Sequence, residues 1–369
     1  MSPLRYPDGH IGHLVTGLRS GRAVLGDTRF SSLPPGKRSP VKVPGSELST
    51  DALPPGMFVN MDPPEHTRYR RLLSKHFTIR RVRELRPRIQ EMTDRLLDEM
   101  EDMKGKGGSV DLVEAFAKPL PTLVTSELLG LPEENRAQFG HHVDVLFSLS
   151  SSGEEMQESM TLLGGMLHAL IAAARKDQGP DILGRLTAET ELTDEELLGI
   201  TFVLLIAGLE TTTNMLALGT YALLRHPEQL AALRADWSLM DGAVEELLRY
   251  LSVVQIGPIR VAAEDFEFEG RPIRKGEVVA VSLPAANRDP LGFDDPDVFD
   301  IRRGATRHLA FGSGPHQCMG HHLARLELGI GYESLLRRFP GLELAVPPAE
   351  IGLREMMVTY GVLGLPVRW

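Results

Sequence analysis

One cysteine in 369 residues leaves no partner for an intrachain disulfide and no set of thiols for a multi-cysteine metal site. No apolar run is long enough to be read as a bilayer span: the longest, Leu197 to Leu209, falls short of the ~20 residues a membrane helix needs. Glu210 and three threonines then interrupt it, so it is read as a buried helix. The opening residues Met1 to Asp8 carry no apolar signal region, and a cytoplasmic location is expected. Basic character is lacking too: a net charge of -10 argues against general nucleic-acid binding. There is no internal repeat and no composition break long enough for a linker. What remains is ordinary for a globular protein, with 42% hydrophobic and 24% charged residues. Length alone would allow two or three domains. The unbroken texture points instead to one domain over residues 1–369, mainly α with small β-sheets, the strands from the two chain ends meeting.

Residues 4–6 and 13–16 flank a Pro7-Asp8-Gly9 turn and read as a hairpin. Residues 31–58 hold six of the 26 prolines and read as loop. A helix is expected from Asp62, with Asp62 as cap, Pro63 in the first position and Glu65 completing a capping box. Helical patterns run from there to about residue 250, broken by a loop at 104–108. Phe266 to Ile273 reads as a second hairpin, 278–281 as a buried strand, and 364–369 as strand or loop. Thr193 and Glu196 form a capping box that starts a helix at Asp194 and carries it to about Arg225, before His226-Pro227.

The cysteine lies in Phe311-Gly312-Ser313-Gly314-Pro315-His316-Gln317-Cys318-Met319-Gly320, a tight loop leading into a helix with His321, His322 and Arg325. A cysteine at a helix N-terminus meets the positive dipole end and free N–H groups, which lower its pKa and favour the metal-binding thiolate. Glycines let the backbone approach a flat ligand. A small buried hydrophobe beside a turn, or a catalytic thiol beside His316, are the plainer readings. A phosphate loop is excluded, since no Gly-Lys-Ser/Thr follows and Gln317 occupies the third glycine position of a dinucleotide fingerprint.

These ten residues resemble the haem-binding signature of the cytochromes P-450, the haem-thiolate monooxygenases. The resemblance implies that Cys318 is the axial iron ligand of haem b, with Phe311 in the same loop and His316 bonded to a haem propionate. Met319 stands where leucine or isoleucine is commoner. Three further constellations fit. Ala207-Gly208-Leu209-Glu210-Thr211-Thr212 is similar to the family's oxygen-activating segment. By itself it is a costly buried acid beside hydroxyls, or an acid capping a surface edge with Thr211 bonded back to the Ala207 carbonyl. That back-bond, with Gly208, would open the helix ladder beside a small ligand. The resemblance makes Glu210 and Thr211 the acid–alcohol pair that manages protons during dioxygen activation. Glu246 and Arg249, at i and i+3, otherwise a surface pair, match a structural Glu-x-x-Arg, with Arg303 as third member. His66 and Arg70, at i and i+4, and Arg260 match residues that hold the propionates.

The resemblance spans almost the whole chain and is strongest to soluble actinobacterial members that tailor secondary metabolites. Such proteins carry a few dozen residues before the first hairpin that have no counterpart here. It implies insertion of one atom of O2 into an apolar small molecule, by hydroxylation or epoxidation. Pocket residues carried over are Val203, Ile206 and Ala207 on the long helix, Ile256, and Val358, with Met356 and Met357 nearby as adaptable surface. The chain has no flavin or nicotinamide segment and no thiols for an iron–sulfur cluster, so a separate ferredoxin and NAD(P)H ferredoxin reductase are implied. Nine Lys or Arg between Glu65 and Arg88, against two Glu, are a candidate docking face. Rival readings are peroxide-driven oxidation or oxidative coupling on the same fold, a haem sensor or electron carrier, and a thiol enzyme without haem. Retention of Glu210 and Thr211 weighs against peroxide dependence and against a carrier.

Overall fold

The computed structural model describes residues 1–33, 36–42, 54–104 and 108–369. Helix dominates. The first helices are α1 (Leu18–Gly26), α2 (Glu65–Ser74), α3 (Ile79–Glu84) and α4 (Arg86–Lys104). Then follow α5 (Pro119–Leu129), α6 (Arg136–Phe147), α7 (Gly153–Lys176), α8 (Ile182–Glu189) and α9 (Asp194–Arg225). The last are α10 (Pro227–Ala235), α11 (Met240–Leu251), α12 (Leu283–Ala286) and α13 (His321–Arg338). The long helix α9 packs against α5, α7, α11 and α13, and twenty of its 32 residues are buried, polar ones included. Its start is the expected capping box: Thr193 accepts from the Glu196 N–H, and Glu196 accepts in return from the Thr193 N–H at 2.9 Å. At 1.5 Å per residue it spans ~48 Å, enough to cross the molecule.

Small sheets flank the helices. β1 (Ser2–Arg5), β2 (Ile11–Val15), β3 (Phe30–Ser31), β5 (Ile259–Ala262) and β8 (Val278–Val281) form one sheet in the order β1-β2-β8-β5-β3. A second has β10 (Pro366–Arg368) between β4 (Val110–Asp111) and β9 (Glu343–Leu344). The chain ends therefore do not meet: the N-terminal hairpin adds to β8 in parallel, and the C-terminal strand pairs with β4 and β9. Strands this short are selected by distant partners, so local pattern gives no pairing. The hairpin of β6 (Phe266–Phe268) and β7 (Arg271–Ile273) forms as expected, its turn made by Glu269 and Gly270 at φ 51° and 75°.

Asp62 does not cap α2. Its carboxylate accepts from the Ser31 hydroxyl at 2.5 Å and the Ser32 N–H at 2.7 Å, and the helix begins at Glu65 with no side-chain cap. The acid thus ties the start of α2 to β3. The proline-rich stretch 31–58 lies partly outside the described residues, as do residues 105–107 of the expected 104–108 loop.

Candidate active site

The cysteine loop is shaped by glycine. Gly312 and Gly314 have φ of 66° and 72°, and a Cβ on Gly314 would lie 2.3 Å from the Leu25 carbonyl oxygen of α1. The Cys318 N–H donates to the Phe311 carbonyl at 2.9 Å, closing the loop three residues before α13. Cys318 opens into a cavity of about 470 Å³. One wall is α9, through Val203, Ala207, Gly208 and Thr211; others come from Thr125 and Leu128 of α5 and from Phe311, His316 and Cys318. The cysteine is exposed to the cavity yet surrounded by protein, and burial raises its pKa. The Gly320 N–H, Arg70 and Arg325 act in the opposite sense. The helix-end lowering expected from sequence is present but outweighed, because desolvation of a central thiol is the larger effect.

Four predicted residues converge beside this cavity. Arg70 lines it. His66 is buried, and neither ring nitrogen has a hydrogen-bond partner. Its ring lies against that of His316, centroids 4.0 Å apart. Arg260 is buried and, among the described residues, donates only to its neighbour's carbonyl, Ile259, at 3.1 Å. Burial pulls Arg260 down to about 10 and His316 to about 3, the latter helped by His66, Arg260, Lys37 and Arg70. No carboxylate forms an ion pair with Arg70 or Arg260 among the described residues. An unpaired guanidinium is costly where it is buried, as Arg260 is, and Arg70 is half-buried. Together with two orphaned ring nitrogens they define a site for a ligand with acidic groups on one edge. Lys37, which sequence reading missed, joins them: it donates to Asn60 Oδ1 at 2.9 Å, and burial lowers it to about 8.

The acid and alcohol on α9 face different ways, as neighbours about 100° apart on a helix do. Thr211 lines the cavity, its hydroxyl bonded back to the Ala207 carbonyl at 3.0 Å. Glu210 is not on that wall and does not cap a surface edge. It is buried and accepts from Asn214 at 3.1 Å, Thr359 at 2.9 Å and Arg354 at 3.1 Å. It fronts a second cavity of about 380 Å³ with Thr213, Asp144 and His141. Burial raises the Glu210 carboxyl, against Arg354, Thr359 and Asn214. Asn214 at i+4 was legible as a helix-face neighbour; Arg354 and Thr359 are about 145 residues away and gave no local signal.

Glu246 and Arg249 are no surface pair. Both are fully buried, bonded in parallel at 2.8 and 2.7 Å, and Arg303, not Arg302, adds a bond to Glu246 at 3.2 Å. Arg249 also donates to the carbonyls of Asn287, Pro296 and Val298, tying α11 to the segment before the cysteine loop. Of the pocket residues, Val203 and Ala207 line the cavity. Ile206, Ile256 and Val358 do not; Val253, Val254 and Pro258 stand where Ile256 was expected, and the Val358 N–H is bonded to the Phe147 carbonyl. Met357 fronts the second cavity and Met356 is exposed.

A central helix whose threonine hydroxyl bonds back to the preceding turn, facing a lone cysteine across a cavity edged by arginines in no ion pair among the described residues, defines a haem-thiolate site. The cytochrome P450 family model matches residues 39–153 and 168–350. Cytochrome P450 105C1 of a Streptomyces species is 47% identical over 99% of this chain and 91% of its own. The cytochrome P450 monooxygenase PikC of Streptomyces venezuelae is 44% identical over 99% of this chain and 87% of its own. The mycinamicin VIII C21 methyl hydroxylase MycCI of Micromonospora griseorubida, solved with mycinamicin VIII, superposes with a TM-score of 0.92 at 34% identity, covering 100% of this chain and 93% of that one. The chain belongs to the cytochrome P450 family. It is a monooxygenase whose cofactor is haem held by an axial cysteine thiolate, and Cys318 is its one cysteine. The cavity fits that cofactor: one thiol on the wall opposite α9, and unpaired cations for two propionates.

Proposed function

We propose that this chain, a single catalytic domain working in the cytoplasm, hydroxylates or epoxidises an apolar or amphipathic small molecule of secondary metabolism. PikC and MycCI, both similar over nearly the whole chain, support the substrate class. The observation that carries the site assignment is the cluster of Arg70, Arg260, His66 and His316 at the cavity that Cys318 faces, with no carboxylate on either arginine among the described residues and no partner on either ring nitrogen of His66. Bound there, haem supplies the oxidising chemistry that inserts one atom of dioxygen into a C–H or C=C bond. Cys318 would hold its iron through the thiolate. Arg70 and Arg260 neutralise the propionates, with the neutral rings of His66 and His316 as hydrogen-bond donors. Val203 and Ala207 present apolar surface that orients substrate, and the walls around them exclude water.

Proton management falls to α9. Thr211 holds a hydroxyl at the cavity wall, bonded back to the Ala207 carbonyl. Glu210 keeps a carboxyl on the opposite flank, beside a cavity lined by polar groups, and must turn from Arg354 to hand a proton inward. Electrons come from separate proteins, a ferredoxin and its NAD(P)H-dependent reductase. The reduced protein under carbon monoxide is expected to show the red-shifted band of a thiolate-ligated haem, and Cys318→Ala to lose it. A Cys318→Ala variant that keeps the band overturns the ligand assignment. Spectral shifts on adding candidate macrolides, terpenes and other apolar metabolites then narrow the substrate.

A further inference from the structure

A second ion cluster, unrelated to Glu246, stands on the flank of the cysteine loop. Glu245 follows Val244 on α11 and its carboxylate is largely buried. Arg325 of α13 donates to it twice, from Nη2 at 3.0 Å and from Nε. His308 Nε2 lies 3.1 Å from the same carboxylate, while its Nδ1 accepts from the Ala310 N–H at 3.1 Å. With Nδ1 an acceptor, the proton sits on Nε2 and points at Glu245, so a neutral imidazole satisfies both bonds. Burial works against the Glu245 charge, yet His308 and Arg325 hold its carboxyl down to about 2. The cluster is thus one anion and one cation, locked by a neutral donor.

The lock fixes where the Arg325 charge stands. Its guanidinium carbon is 4.6 Å from the centre of the Phe311 ring, and Nη1 donates to the His321 carbonyl at 3.1 Å. Phe311 is the residue whose carbonyl accepts the Cys318 N–H. One side chain therefore braces both ends of the cysteine loop, Phe311 at its start and His321 just after it. Arg325 is also one of two arginines, with Arg70, whose charge favours negative charge on the Cys318 sulfur.

We propose that Arg325, anchored by Glu245 and His308, is a positioning residue for the axial ligand, holding the cysteine loop through Phe311 and setting the electrostatic field at Cys318 Sγ. The proposal rests on Cys318 being the iron ligand. Its agent is the located charge: a guanidinium near the sulfur stabilises the added electron when iron is reduced.

The test uses the haem-loaded protein with Arg325→Met, Arg325→Lys and Glu245→Gln, read by iron midpoint potential and by the iron–sulfur stretching frequency. Arg325→Met is expected to lower the potential and shift the stretch. Arg325→Lys should recover most of the potential, having kept the charge. Glu245→Gln removes an anion and is expected to raise the potential, while the unanchored arginine shifts the stretch as in Arg325→Met. Opposite shifts of potential from the two partners are a result that mere loosening of the fold does not give. Unchanged potential and stretch in Arg325→Met overturn the proposal, as does Arg325→Lys behaving like Arg325→Met. Should Arg325→Met fail to load haem, Arg325→Lys and Glu245→Gln decide alone. A parent protein without the thiolate band under carbon monoxide refutes the ligand reading, separately from this one.

Discussion

Glu327 is a buried carboxyl on α13 that lines the Cys318 cavity, and its Oε1 has no partner. Burial lifts it from its ordinary 4.5 to about 8, so it is neutral at pH 7. The folded state then binds a proton that the unfolded state releases above 4.5. Stability from this group is full below 4.5 and is lost as pH rises through about 8. Glu327→Gln keeps the shape without the titration. Denaturant midpoints measured from about pH 5 to 9 should fall with pH in the parent more steeply than in Glu327→Gln, the variant being the more stable at the alkaline end. Parallel profiles would mean that Glu327 is paired in solution.

Thr211 gives the second test at this scale. Thr211→Ala removes the hydroxyl bonded to the Ala207 carbonyl, and the expected result is uncoupling: several-fold less product per nicotinamide oxidised, with reduced oxygen lost as peroxide. Glu210→Gln should slow turnover by about 10²-fold through proton supply. Equal coupling in parent and Thr211→Ala removes that role from the residue. The cysteine loop, the His66 and Arg70 pair and Thr211 were legible because each is written in adjacent residues or one helix turn. Arg354, Thr359 and Lys37 were not, since only tertiary folding brings them to Glu210 and to Arg260.

At the scale of elements, α9 was read almost to the residue, because a capping box and a His-Pro stop are local devices. Its packing was not. Gly219 sits so close to α13 that a Cβ would fall 2.0 Å from the Tyr332 hydroxyl, which itself donates to the Met215 carbonyl of α9. Gly219→Ala is expected to separate the two helices that face each other across the cavity, at a cost of about 1–3 kcal/mol. Thermal denaturation of the loaded protein checks this, and an unchanged midpoint would show that Tyr332 yields easily. The Glu246 network works similarly, joining α11 to distant backbone. Its sequence signature, one acid and one arginine a turn apart, is the same whether exposed or buried, so burial could not be read.

At the scale of the whole molecule, the proposed electron donor would meet a surface whose charge is unevenly spread. The basic stretch from Glu65 to Arg88 is less basic folded than written. Arg68 is paired with Glu196, Lys75 with Glu189, Arg80 and Arg81 with Glu84, and Arg88 with Glu91 and Glu127; Arg70 belongs to the haem site. Arg71, Arg83 and Arg86 are exposed and in no ion pair among the described residues. Arg83 rides on α3, which packs against α13, the helix leaving the cysteine loop. An acidic ferredoxin docking there would approach from the thiolate side. Replacing Lys75 would break its bond to Glu189 and confuse the result, so the charge reversal belongs at Arg71→Glu with Arg83→Glu. Within a Debye length of about 8 Å at physiological salt, two reversed charges should lower the association rate and flatten its dependence on ionic strength. Electron-transfer rate is to be followed against ferredoxin concentration at several salt levels. The same rate and the same salt slope as the parent would move the docking face elsewhere on this net-acidic chain.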